Sequence, residues 1–181
     1  SNLASDISGA NISNGATPNI DLTWAPSPNV WEVHGAPSFT SIGDGQIVQL
    51  DLNGGEANPT ITFGVDAGWA FQMNSLVIGH ASDQVESDYA WTLTITADGG
   101  PEVFTHTTAL LGPSDSETVD FNFTGTIGTN YVLRFDDGGA NTVRAGIDNL
   151  SFNQIAVPEP SILTLLGAGL GVLMAARRLR R

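Results

Sequence analysis

Short runs of alternating apolar and polar residues recur along most of the chain. Ile20, Leu22 and Trp24 alternate with Asp21 and Thr23, and Val48, Leu50 and Leu52 with Ile47, Gln49 and Asp51. Ile61, Phe63 and Val65 alternate with Thr62 and Gly64, and Tyr89, Trp91, Leu93 and Ile95 with Ala90, Thr92 and Thr94. Val119, Phe121 and Phe123 alternate with Asp120 and Asn122, and Tyr131, Leu133 and Phe135 with Val132 and Arg134. A period of two belongs to a strand with one face on a core and the other toward water. Two further strands are expected at Phe71 to Ile78 and Val103 to Leu110. A last one is expected from Val143 to Phe152, with Gly146 marking a bulge or bend. Gly43-Asp44-Gly45, Asp98-Gly99-Gly100 and Asp136-Asp137-Gly138-Gly139 are expected to close antiparallel connections, and Asn53-Gly54-Gly55 and Asn58-Pro59 to bound another. About eight to ten short strands at this spacing predict an all-β, jelly-roll-like antiparallel β-sandwich.

The pattern changes after Phe152. Residues 153–161 read as a linker, with Pro158 and Pro160 discouraging helix before Ser161. Ile162 to Ala176 is a charge-free run of 15 residues, about 22 Å long as a helix. Four arginines follow it: Arg177, Arg178, Arg180 and Arg181. The chain therefore divides into an acidic β-sandwich domain at 1–152, a linker at 153–161, and a C-terminal hydrophobic, membrane-spanning helix with a basic end at 162–181. The run is shorter than the ~20 residues of an ordinary span, and flanking arginines recover part of the mismatch by snorkelling. It is apolar on every side, so it is not an amphipathic surface helix. The arginines after it predict a cytoplasmic end, with the body on the other side of the membrane.

Charge sharpens this division. The 181 residues carry 19 acids, six arginines and no lysine, a net charge of −13. Residues 1–156 alone are −16 and residues 157–181 are +3. An acidic, lysine-free body excludes a nucleic-acid partner, since phosphate binding draws on Lys and Arg. The absence of cysteine excludes disulfides, thiolate metal sites and Cys nucleophiles. Ser1 to Gly15 is small and polar, with no apolar signal-peptide core, as expected if a leader has been removed or the sequence begins inside a longer product.

The tail has three parts in order: Pro158-Glu159-Pro160, the Gly-rich apolar run with Gly167, Gly169 and Gly171, and the arginine cluster. A buried C-terminal helix and a permanent membrane anchor are the alternatives that composition leaves open. Together the three parts resemble the PEP-CTERM sorting signal. The resemblance covers about 25 residues and is independent of the body's fold. It implies a Gram-negative bacterial protein exported through the inner membrane and recognised by an exosortase, a membrane-embedded cysteine-type transpeptidase or protease. It further implies delivery of the body to the cell surface or extracellular matrix. On this chain Pro158, Glu159 and Pro160 would be the recognition element, Ile162 to Ala176 the transient membrane segment, and the arginines the stop signal. Members normally also begin with a signal peptide, a part not seen in Ser1 to Gly15.

Within the body, chemistry-bearing patterns are sparse. His34, His80 and His106 are far apart in sequence and fit no zinc spacing. No nucleophile elbow, P-loop or dinucleotide fingerprint is present. Asp136, Asp137 and Asp148 are candidate ligands of a structural calcium ion, because hard cations take oxygen donors; turn-forming solvated carboxylates are the alternative. Trp31 and Trp69 stand beside loop residues and are candidates for stacking on sugar rings, whereas Trp24 and Trp91 lie in phase with the core. The expectation is a non-enzymatic exported surface or exopolysaccharide-matrix protein without a cofactor. A carbohydrate-binding module recognising exopolysaccharide is the alternative, and a glycoside hydrolase, which needs a carboxylate pair, comes after it.

Overall fold

β-Branched and aromatic residues fill the alternating positions, and strands form where they do. The computed structural model describes residues 17–25, 31–35, 46–51, 58–80, 88–138 and 144–157. Ten strands lie among them: β1 (Ile20–Ala25), β2 (Trp31–Gly35), β3 (Gln46–Asp51), β4 (Thr60–Val65), β5 (Trp69–His80), β6 (Thr92–Ala97), β7 (Glu102–Thr107), β8 (Ser116–Thr124), β9 (Tyr131–Asp136) and β10 (Arg144–Ala156). They form two five-stranded antiparallel sheets, ordered β1-β4-β9-β6-β7 and β2-β3-β10-β5-β8. No described residue is helical.

The pairing is nested. β3 pairs with β10, β4 with β9, β5 with β8 and β6 with β7. A long antiparallel ribbon wound over itself gives this order, a winding of the jelly-roll kind. β1 and β2 extend the two sheets at the outer edges of β4 and β3.

The inward positions of both sheets make one core. Phe63 and Phe71 stack across it with centroids 4.4 Å apart, and Phe152 meets Phe63 edge-on at 5.5 Å. Each such buried ring contributes about 1.5–3 kcal/mol relative to exposure. Trp24, Trp91, Leu93, Ile95, Leu133 and Phe135 are buried in the same core, in phase with the alternation.

Several expectations change. Residues 31–35, where no alternation predicted a strand, form β2 against β3, with Trp31 opposite Leu50. Tyr89 makes only an isolated bridge with Leu111, so β6 begins at Thr92. Ile47 and Gln49, expected toward water, are 1% and 3% exposed. Asp98-Gly99-Gly100 does close the β6–β7 hairpin, with Gly99 at φ 64°, a conformation costly for residues with a Cβ. Asp136 to Gly138 instead leaves β9 for β10 in the opposite sheet, so it begins a crossing and not a hairpin. Gly146 is regularly paired with Gly79 and Gln49. The irregularity of β10 falls between Asp148 and Phe152, and within it Asn149 has φ 51°; Asn tolerates that region through its short polar side chain. β10 also continues past Phe152 through Ala156, paired with β5 down to Trp69.

Candidate functional site

Trp31 does not face solvent. It is 2% exposed, its indole N–H donates to the Ala25 carbonyl at 3.1 Å, and it meets Trp24 and Phe135 edge-on at 4.7 and 5.7 Å. The two partners belong to the opposite sheet, so Trp31 is an inter-sheet core residue and cannot stack on a sugar. Trp69 is half-buried at the start of β5, packed against the core. The two tryptophans stand at opposite ends of their sheet: Trp31 is level with Leu50 and, through it, with Ala145 at the start of β10, whereas Trp69 is level with Ala156 at its end.

The aspartates considered for calcium are engaged separately. Asp136 Oδ2 accepts from Arg134 Nη2 at 2.8 Å and from Asn58 Nδ2 at 3.2 Å, while Oδ1 accepts the Gly138 N–H at 2.9 Å. Asp137 is 7% exposed. Asp148 sits on β10 opposite Val77, and its Oδ1 accepts the Asn149 N–H at 2.7 Å. Among the described residues no three of His, Asp and Glu gather as metal ligands. Two carboxylates do converge elsewhere: a Cβ on Gly112 would lie 2.8 Å from Asp88 Oδ1 and 3.2 Å from Asp115 Oδ2. Asp115 Oδ2 accepts the Gly112 N–H at 3.0 Å, which is a turn-closing role.

The described histidines are apart as well. His80 is fully buried at the end of β5, stacked on Tyr89 with centroids 5.7 Å apart and planes at 6°. His106, on β7, has Nε2 2.6 Å from Glu117 Oε1 on β8. Glu117 Oε2 accepts the Ala109 N–H at 2.8 Å. This pair joins the edges of the two sheets. The side chain of His34 lies outside the described residues.

Strand order creates one feature that no single run displays. The outward positions of the first sheet are dominated by threonine. Thr23 lies opposite Thr62, Thr62 opposite Val132, and Val132 opposite Thr96. Beside that row, Thr60 lies opposite Arg134, Arg134 opposite Thr94, and Thr94 opposite Thr105. Thr92 and Thr107 are hydrogen-bonded through their hydroxyls at 3.1 Å. The result is a hydroxyl-lined surface with Arg134 on its central strand, neighbouring strands standing ~4.8 Å apart. Hydroxyls both donate and accept, and the Arg134 guanidinium, one nitrogen of which is held by Asp136, adds further donors, so the face is rich in hydrogen-bonding groups. The signal in sequence was the threonine at polar positions of successive runs.

The chain leaves the body at the other functional element. Ala156 pairs with Trp69, and the Val157 N–H donates to the Gly68 carbonyl at 3.0 Å. Gln154 Oε1 accepts from the Asn19 N–H at 2.9 Å and from its side-chain amide at 3.1 Å, tying β10 to the entry of β1. Pro158, Glu159, Pro160, the apolar run and Arg177, Arg178, Arg180 and Arg181 lie outside the described residues. Among the described residues no helix is long and apolar enough to cross a membrane.

Comparison with known proteins separates body from tail. No curated protein matches the chain. Among solved structures, an arabinose-bound α-L-arabinofuranosidase, MgGH51, is similar over 72% of this chain and 23% of its own, at 15% identity and TM-score 0.48. This chain thus spans about a quarter of that enzyme's length. TmCBM61 in complex with β-1,4-galactotriose is similar over 77% of this chain and 89% of its own, at 14% identity and TM-score 0.43. A cyclase from Fischerella sp. TAU is similar over 78% and 87%, at 11% identity and TM-score 0.48. Similarity at this level speaks to no ligand or activity. The tail is different in kind: its match is to a family defined by the motif itself. Residues 156–181 are a PEP-CTERM protein-sorting motif, joined without a spacer to the last strand of the sandwich.

Proposed function

We propose that this is an exported, non-enzymatic surface or exopolysaccharide-matrix protein of a Gram-negative bacterium, delivered by exosortase processing of its tail. The sorting motif at residues 156–181 carries the reading, because a motif of this class implies export and processing at the membrane. The apolar run holds the precursor in the inner membrane, Pro158-Glu159-Pro160 presents the processing site, and the arginine cluster stops transfer. Removing the tail leaves an acidic, self-repelling domain suited to a hydrated matrix. Replacing Pro158, Glu159 and Pro160 by alanine is expected to leave unprocessed protein in the inner membrane. Normal maturation and surface delivery of that variant would overturn the proposal.

A second reading, binding of exopolysaccharide, draws support from the threonine face around Arg134. Its partner would be a neutral polymer contacted through hydroxyls and the guanidinium. Binding of the full chain to such polymers in affinity electrophoresis, weakened by Thr62→Val with Thr94→Val, is the expected result. Unchanged retardation in that variant, or none in the parent, contradicts it.

A further inference from the structure

We propose that the end of the sandwich from which the tail emerges is a lipid-facing surface, seated on the outer leaflet of the inner membrane until the tail is cut. The proposal rests on the reading of residues 162–176 as a membrane segment. Four large hydrophobic side chains are exposed among the described residues: Val103, Leu110, Ile127 and Ile155. Topology puts three of them at one end. β10 finishes there at Ala156, β5 begins there at Trp69, and the β8–β9 turn is fastened to it by the Gly128 N–H donating to the Trp69 carbonyl at 2.8 Å. Ile127, 47% exposed, is the residue before Gly128, and Ile155, 37% exposed, lies two residues before Val157. The β6–β7 turn, with Val103 near the start of β7, abuts the same end through the Asp98 N–H donating to the Asn130 carbonyl at 2.9 Å. Leu110 lies at the opposite end, beyond the last residue of β7.

The tether is short. Val157 is fixed to Gly68, and Ile162 opens the apolar run, so the two are at most about 18 Å apart. Each headgroup layer is roughly 5–8 Å deep, so an inserted tail holds this end of the body within roughly 10–13 Å of the bilayer surface and leaves the other end no reach. Ile127 in the β8–β9 turn and Ile155 on the outer face of β10 are the exposed apolar side chains this end offers to lipid, while Trp69 packs on the core behind them. Exposed acids at the same end, Asp66, Asp98 and Glu102, oppose anionic headgroups. The seat is therefore weak by itself and holds through the high local concentration that the tether supplies. Cutting the tail abolishes that concentration and releases the body.

The chain has no native cysteine, so one introduced thiol is a unique label. The full chain is reconstituted in phosphatidylethanolamine/phosphatidylglycerol vesicles with a fluorophore at Ile127→Cys, Ile155→Cys, Leu110→Cys or, within the tail, Leu166→Cys. A headgroup-bound quencher is expected to diminish fluorescence at 127 and 155 but not at 110, and an acyl-chain quencher to diminish it at 166. An inserted tail with 127 and 155 as unquenched as 110 overturns the lipid-facing surface alone. A tail probe outside the hydrocarbon overturns both the membrane reading and this surface. Protection at 127 that arises only when an exosortase shares the bilayer assigns the surface to a protein and likewise overturns it.

Discussion

The Val157 N–H donates to the carbonyl oxygen of Gly68 at 3.0 Å, one residue before the Pro-Glu-Pro element. The sorting motif therefore overlaps the end of the last strand, Ala156, and the residue after it. Truncation after Val157 is expected to leave the melting temperature of the body unchanged within experimental spread. Truncation after Phe152 removes the pairing of Asn153 to Ala156 with β5 and the Asn19–Gln154 bonds. At about 0.5–1.5 kcal/mol net per hydrogen bond, the loss is on the order of 2–5 kcal/mol. Urea denaturation of the two truncations checks this.

Gly125 lies against the Tyr131 ring, whose hydroxyl accepts the Thr126 N–H at 2.6 Å. A Cβ there would stand 2.6 Å from Cζ and 2.8 Å from the hydroxyl oxygen. Tyr131 is 3% exposed and wedged by Phe71 and Phe123 at 5.8 and 5.1 Å, so the ring cannot withdraw freely. Gly125→Ala is expected to cost about 1–3 kcal/mol through overpacking. Tyr131→Phe strands one amide without its acceptor and costs about 1–3 kcal/mol. Denaturant midpoints measure both.

The two tryptophans singled out for sugar contact should separate sharply in stability. Trp31→Ala opens a cavity between the sheets and is expected to cost about 3–5 kcal/mol. Trp69→Ala, at a half-buried edge, is expected to cost about 1–2 kcal/mol. Equal losses in calorimetry would contradict their placement.

The His106–Glu117 contact joins β7 to β8, yet its side chains are 36% and 25% exposed. Solvent screening limits such a pair, so a double-mutant cycle with alanine at both positions is expected to give a coupling of about 1 kcal/mol or less. Adding salt should reduce it further.

Particular residues show where sequence was readable. The alternation of Ile61, Phe63 and Val65 or of Tyr131, Leu133 and Phe135 announced strands, because each has one face on a single core. β2 was hidden: prolines flank it, and Trp31 is placed by a distant partner, Leu50, that local pattern cannot name. Gly146 looked like the break in β10, but between Gly79 and Gln49 a missing side chain leaves the ladder regular. Asn149 makes the bend three residues later. The threonine face was visible as separate polar positions, while its assembly around Arg134 depends on strand order. The sorting motif was readable, since it is carried by contiguous residues and needs no fold to bring them together.

The central claim is that the C-terminal motif is a processed address. Its most direct test is the intact mass of the protein recovered from the cell surface or matrix. The account predicts a body ending at or near Pro158-Glu159-Pro160, without the apolar run and its arginines. A surface-recovered chain that still ends in Arg180-Arg181 would contradict it.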